Sequence, residues 1–235
     1  HVPAARSVFL HRRGRGWEGR IQDGEELVAT LALRRARTPA PGNRRRVLVL
    51  PDSRSRKDGL AFVAYALRIR EAYRQRGFTT VIPDIDSWED VIDELEAAQG
   101  APYKRVIFIG HGGWDGPIYR SHAGTRQVSG GFHKDVYARL VNAVRVGTSK
   151  RARILNSSCH AAGTAQAEQT DVVSDYRWVL DLARRTGRVV AGPAGRTSTE
   201  WTLRHALAVL EGQGTVVQEF HVARGHQARV LFAGQ

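Results

Sequence analysis

One thiol and one glycine-flanked imidazole carry the chemistry legible in this sequence. Cys159 lies in ILNSSCHAAGT, residues 154–164, among Ser157, Ser158, Ala161, Ala162 and Gly163, side chains small enough to admit another backbone or a substrate. A thiol nucleophile needs an imidazole to take or hold its proton, and backbone N–H groups to stabilise an oxyanion. His111 stands in RVIFIGHGGWDG, residues 105–116, where a β-branched and aromatic run empties into glycines. The N–H groups of Gly112 and Cys159 are the candidates for the oxyanion. His160 is a poor base for its neighbour, because adjacent side chains diverge in an extended or turning segment. A lone cysteine is by default a small buried hydrophobe, and a loop histidine is by default solvated. The pairing of the two lifts both above that default.

The elements that must position them follow from hydrophobic period and turn chemistry. VLVL (47–50), TTVI (79–82), RVIFI (105–109), ARILN (152–156) and GRVVAG (187–192) are short apolar runs bounded by Pro, Gly or Asp, and they read as buried strands. Between them, residues 58–76, 87–98, about 133–146, 171–186 and 199–211 carry helical spacing. Ser87 with Asp90 three residues on is an N-terminal capping pattern. TVVQEFHV and ARVLFA near the end favour two further extended segments, and the glycine-rich stretch 112–131 reads as a flexible rim, with Trp114 as an aromatic wall. Strand and helix alternating in this way predict an α/β fold, a mostly parallel central sheet flanked by helices on both faces. Sites in such sheets form beyond the carboxyl ends of the strands, which selects the loops after residues 50, 82, 109, 156 and 191. His111 follows one strand and Cys159 the next.

Residues 1–46 form a separate organisational unit. WEGRIQDGEELVATLAL (17–33) reads as a strand pair turning at Asp23-Gly24, and RTPAPGNRRR (37–46) as a Pro/Gly/Arg connector. Residues 47–235 form the larger domain.

An apolar strand followed by His111-Gly112, and a later one followed by Ser157-Ser158-Cys159-His160-Ala161-Ala162-Gly163, together resemble the caspase-like cysteine peptidases. These include caspases, metacaspases, gingipain-like and clostripain-like enzymes, and the autoprocessing protease domains of large bacterial toxins. The second motif is similar to the metacaspase pattern Asp-Ser-Cys-His-Ser-Gly. The resemblance implies a three-layer caspase-like sandwich, Cys159 as nucleophile, His111 as general base or ion-pair partner, a protein or peptide substrate, and no metal or organic cofactor. It departs from the pattern at Ser157, where metacaspases carry an acidic residue that binds a basic substrate side chain. Asp52, ending the first parallel strand, is the acid best placed to substitute, whereas Arg54, Arg56 and Arg196 would instead suit an acidic side chain. Asp52, Ser157, Trp114 and Arg196 are thus the candidate substrate-binding residues.

Composition bounds the alternatives. The 235 residues carry a net charge of +13, and of 36 basic residues four are Lys, leaving 32 Arg. The arginines cluster at 12, 13 and 15, at 34, 35 and 37, at 44–46, and with Lys57 at 54 and 56. Such a surface attracts polyanions and is strongly screened by salt, so a polyanion is a second candidate partner. The toxin domains of the resembled family are activated by inositol hexakisphosphate, although the densest clusters here precede residue 60. No zinc-finger, RNP-type or helix-turn-helix signature points to specific nucleic-acid binding. No membrane span or signal peptide is evident. The chain lacks Met and begins at His1, as a processed or a cut terminus would, which leaves localisation open and makes secretion one option. A single cysteine excludes an intrachain disulfide and any multi-cysteine metal site. GRGWEG (14–19) satisfies a dinucleotide-loop pattern but follows no apolar strand, and His221 and His226 read as surface residues. Two other classes stay in view: a catalytically silent caspase-like interaction module, and a basic polyanion-binding domain.

Overall fold

The computed structural model describes residues 7–13, 16–23, 26–34, 45–55, 58–113, 116–120, 127–129, 134–159, 161, 177–193, 207, 208, 210, 211, 220–224 and 227–231. The chain divides into two compact units, His1–Thr38 and Pro39–Gln235. In the first, β1 (Ser7–Arg13), β2 (Gly16–Asp23) and β3 (Glu26–Arg34) form an antiparallel sheet in the order β1-β2-β3. The expected 17–33 strand pair is β2 with β3, and β1 adds a third strand that was not anticipated.

The apolar runs of the second unit become β4 (Arg46–Pro51), β5 (Thr79–Val81), β6 (Tyr103–Ile109), β10 (Thr148–Asn156) and β11 (Val189–Pro193). All five are parallel, in the order β11-β10-β6-β4-β5. The antiparallel strands β12 (Phe220–Arg224) and β13 (Gln227–Leu231) extend the sheet beyond β11.

These runs are apolar without interruption because both faces are covered, and alternate residues enter different cores. Leu48, Leu50, Val106, Phe108, Ile154 and Val190 pack with α2 (Trp88–Glu96), α3 (Lys134–Gly147) and α4 (Arg177–Thr186). Val47, Val49, Ile107, Ile109, Leu155 and Ala191 pack instead with α1 (Gly59–Arg74) and with Leu207 and Leu210. On the first face Phe108 is fully buried, edge-on to Trp178 at 5.6 Å. Truncating it to Ala would cost about 3–5 kcal/mol.

Local chemistry sets the helix ends. Ser87 and Asp90 form a reciprocal capping box, with the Asp90 N–H donating to Ser87 Oγ at 3.3 Å and the Ser87 N–H to Asp90 Oδ2 at 2.9 Å. Gly77, at φ 73°, lets the chain leave α1 and turn into β5. Of the segment expected as helix over 171–186, residues 171–176 lie outside the described residues, as do most of 199–211.

The stretch 112–131 differs from expectation. Instead of a loop throughout, it contains β7 (Gly112–Gly113), β8 (Gly116–Arg120) and β9 (Gln127–Ser129), a small antiparallel sheet ordered β7-β8-β9. The glycines suggested freedom, but Tyr119 anchors the segment. It is 1% exposed, and its hydroxyl donates to the Leu50 carbonyl at 2.6 Å.

Among the described residues no helix is long and apolar enough to cross a membrane.

Candidate active site

The strand order reverses between β4 and β6, so the crossovers leave in opposite directions, and in open α/β sheets the carboxyl edge at such a reversal is where ligand sites form. The loops after β4, β6 and β10 meet there. β4 and β6 stay paired to their ends, since the Asp52 N–H donates to the Ile109 carbonyl at 2.8 Å. β6 and β10 do likewise, with the Ser157 N–H donating to the Phe108 carbonyl at 2.8 Å.

His111 leaves β6 half-exposed and is held from one side by the first turn of α1. Its Nε2 lies 3.0 Å from Asp58 Oδ2. Its ring stands edge-on to Phe62, with 5.2 Å between centroids and 77° between planes. Asp58 is the N-cap of α1, yet its side chain makes no capping hydrogen bond to that helix. Asp is among the best N-cap residues because its carboxylate usually accepts from the N2 or N3 N–H; here the carboxylate is directed to the imidazole instead. Gly59, next in the chain, is packed so tightly that a Cβ would lie 2.5 Å from the Ser53 carbonyl oxygen, and glycine there lets the loop lie against the helix start.

Cys159 follows β10 on a turn built by Asn156. The buried Asn156 Oδ1 accepts from the Ser158 N–H at 3.1 Å and from Ser158 Oγ at 2.6 Å, an Asx-type turn that bends the chain just before the thiol. Cys159 itself is partly exposed. Small residues around it are used for close packing: a Cβ on Gly192 would lie 2.7 Å from Ala161 Cβ, so β11 seats directly on the cysteine loop.

Gly112 joins the two halves. A side chain there has no room, since a Cβ would fall 2.4 Å from Ser158 Oγ and 2.7 Å from the Gly116 carbonyl oxygen. The residue after His111 therefore rests on the residue before Cys159, and the two loops form one rim. Half-exposed imidazole, its carboxylate partner, a partly exposed thiol and tightly turned backbone are the parts that nucleophilic acyl chemistry requires.

The remaining sequence candidates are placed unevenly. Asp52 is 4% exposed and lies beneath the rim. With burial the larger cause, its charge helps push the Tyr119 phenol far above its usual range. Ser157 is buried beside Tyr65 of α1, whose phenol is raised by burial while the Ser157 hydroxyl opposes the shift. Arg54 is engaged by Asp86 in a two-pronged ion pair, one arm of 2.8 Å. Trp114, Arg56 and Arg196 lie outside the described residues. Asp58 was not singled out from the sequence. Its one local signal, an Asp immediately before a helix, reads as an ordinary cap. Among the described residues no group of three or more His, Cys, Asp or Glu is placed to hold a metal ion.

No protein-family model matches this chain, and a search of curated proteins found no match.

Proposed function

We propose that the protein is a cysteine endopeptidase with a caspase-like three-layer sandwich, in which Cys159 and His111 hydrolyse peptide bonds. The observation that carries the reading is the contact of Gly112 with Ser158, which brings the His111 and Cys159 loops together at the carboxyl edge of adjacent parallel strands. That both motifs lie on neighbouring loops of one rim is what supports the reading.

In the proposed reaction the Cys159 thiol passes its proton to His111, the thiolate sulfur attacks the scissile carbonyl carbon, and the carbonyl π pair moves onto oxygen. The Gly112 and Cys159 N–H groups donate to that oxyanion. Collapse breaks the C–N bond, and the leaving amine takes a proton from His111. Water then adds to the thioester, with His111 taking its proton, and the thiolate leaves. Neither metal nor organic cofactor enters. Trp114 and Arg196 remain proposed substrate contacts. Asp52 and Ser157, both buried, fit support of the rim better than a wide pocket.

The arginine-rich composition does not by itself call for a polyanion partner. Arg46 is 2% exposed and Arg188 8% exposed, while Arg54 and Arg105 are engaged by Asp86 and Glu211, so part of the positive charge is used inside the fold.

The test is a peptide library varied at the residue before the scissile bond, read by mass spectrometry, together with a peptidyl chloromethyl ketone series. The expected result is cleavage after a restricted residue set and a single covalent adduct on Cys159. Absence of both cleavage and adduct across the library would overturn the reading, and would leave the silent interaction module as the better account.

A further inference from the structure

We propose that the amino edge of the parallel sheet carries a docking surface for the phosphate backbone of a nucleic-acid duplex, formed by Arg145, Lys150, Arg151 and Arg184. It lies at the opposite end of the strands from the candidate active site, and it does not depend on the peptidase reading.

The four cations come from three elements that meet in one place. Arg145 lies in the last turn of α3 and Arg184 in that of α4. Lys150 and Arg151 lie where β10 leaves its ladder. Between the pairs Thr148–Tyr103 and Arg153–Arg105, β10 has four residues where β6 has one, and such a bulge carries the extra residues out of the sheet's register. Arg188 joins the three elements. Its guanidinium donates to the carbonyls of Arg145 at 3.0 Å, Thr148 at 3.1 Å and Thr186 at 2.8 Å, so the end of α3, the start of β10 and the end of α4 are tied to one buried group. Arg145, Lys150, Arg151 and Arg184 are all exposed around it. Among the described residues none of the four takes part in an ion pair.

Helix capping does not account for this gathering. Cations are favoured at the carboxyl ends of helices by the unsatisfied carbonyls there, but Arg188 already meets those carbonyls, and Lys150 and Arg151 belong to a strand. Repulsion opposes it: burial, and after it the charge of Arg145, pulls Arg188 below its ordinary pKa. Neighbouring acids do not balance it. Asp181 is engaged by Arg185 at 2.9 Å and Glu94 by the Tyr103 hydroxyl at 2.5 Å, which leaves Asp93 and Glu96 exposed on the last turn of α2. Surplus cations held on a rigid frame are what phosphate contacts use, and arginine presents paired N–H donors that match a phosphate.

The surroundings favour a duplex over other polyanions. The one large apolar side chain exposed on this edge is Val146, and among the described residues no aromatic ring is exposed. The edge therefore offers neither a platform for stacking unpaired bases nor an apolar face to enter a bilayer, whereas a duplex backbone asks only for cations. Contacts of this kind carry no sequence information. The seven residues of β6 separate the edge from His111 by roughly 23 Å, so a docked duplex leaves the active-site edge open.

The experiment measures binding of full-length protein to two labelled duplexes of unrelated sequence by fluorescence anisotropy, over a salt series. Both duplexes should bind alike, with affinity falling roughly 10²-fold between about 50 and 200 mM salt, as four phosphate contacts require. The quadruple variant Arg145→Gln, Lys150→Gln, Arg151→Gln, Arg184→Gln should lose at least about 10-fold in affinity at the lowest salt, and Lys150→Gln with Arg151→Gln alone should about halve the slope of log affinity against log salt. Urea midpoints check that each variant is folded, and the two-residue variant keeps the test open if the quadruple one is not. A control removes the same charge from the arginine clusters early in the sequence, through Arg12→Gln, Arg13→Gln, Arg35→Gln and Arg37→Gln, and should lose less than about threefold. Absence of duplex binding at low salt overturns the proposal. Equal losses in the two quadruple variants overturn it in favour of net charge alone. Binding to vesicles of phosphatidylserine and phosphatidylcholine that depends on the four residues, with none to the duplexes, overturns it in favour of an anionic membrane.

Discussion

The two edges of the parallel sheet handle polar groups in opposite ways. At the amino edge they are closed into the protein. Arg46 lies over the Tyr103 ring, with Cζ 4.2 Å from the centroid, and donates to the Ala101 carbonyl and to the Tyr103 hydroxyl; that hydroxyl in turn donates to Glu94 at 2.5 Å. Arg105 grips Glu211 with two bonds of 3.0 and 2.9 Å, and Tyr73 donates to the same carboxylate. Arg188, 8% exposed, donates to Thr148 Oγ1 and to the carbonyls of Arg145, Thr148 and Thr186. The Arg145 and Thr186 carbonyls belong to the carboxyl ends of α3 and α4, where helices leave acceptors unsatisfied and carry partial negative charge, and the Thr148 carbonyl opens β10. At the carboxyl edge, His111, Asp58 and Cys159 are left partly open to solvent. One edge is arranged for stability, and the other gives up some of it for access.

If that contrast is right, substitutions at the two edges should separate into losses of activity and losses of stability. The largest effect belongs to the carboxyl edge. Cys159→Ala should abolish cleavage, and His111→Ala should lower it by at least about 10³-fold, without additivity in the double variant because the pair acts as a unit. Urea midpoints should barely move, since a thiol-to-methyl change leaves little cavity. Cleavage by the purified Cys159→Ala variant at the wild-type rate would end the comparison.

Arg188→Met tests the other edge. It removes a buried cation whose charge is opposed by burial and then by Arg145, but it also strands three carbonyls, two of them at helix ends. The second effect should win, costing about 2–4 kcal/mol in urea denaturation, while kcat per folded molecule stays within about twofold of wild type. A loss below about 0.5 kcal/mol would show that water replaces the guanidinium readily.

Glu211→Gln sharpens the contrast by pH. Burial pushes the Glu211 carboxyl up, but its hydrogen bonds and charge contact with Arg105 outweigh this and leave it below its ordinary value. A lowered folded value means that the carboxylate's contribution is present above the unfolded pKa and is lost as pH falls through the folded one. Wild type should therefore exceed the variant by about 1–2 kcal/mol at neutral pH, with the gap closing in acid, below roughly pH 4. A gap that is independent of pH would assign the loss to packing.

The smallest effect is expected at Tyr119→Phe, which removes the hydroxyl bound to the Leu50 carbonyl and should cost about 1 kcal/mol at neutral pH. Burial, with the Asp52 charge as a further cause, holds this phenol protonated well above its usual range. The folded chain thus retains a proton that the unfolded chain releases above about pH 10, and stability falls as pH rises past that point. The variant should lose less stability than wild type between neutral and strongly alkaline pH, measured by urea midpoints alongside tyrosinate absorbance.

Legibility in the sequence follows the range of the interaction. The five parallel strands could be read because burial on both faces demands an unbroken apolar run, as in VLVL and VIFI, and the α2 cap because Ser87 and Asp90 are three residues apart and settle their contact locally. The strand in 116–120 was missed, since what holds it is a bond from Tyr119 to Leu50, 69 positions away. Asp58 was missed for the same reason. Asp52 and Asp58 bracket one short polar loop and look alike in sequence, and only the path of α1 turns one beneath the rim and brings the other to His111.

By itself, then, the sequence determined the α/β class, the two loops that carry His111 and Cys159, and the residues small enough to let those loops approach, because hydrophobic period, turn chemistry and side-chain size act over a few residues. Tertiary structure alone decided that Gly112 would rest on Ser158, that Asp58 rather than Asp52 would meet the imidazole, and that Arg188 would close two helix ends. Each of these depends on strand order, and strand order reflects how two cores share one sheet, a balance no local pattern records.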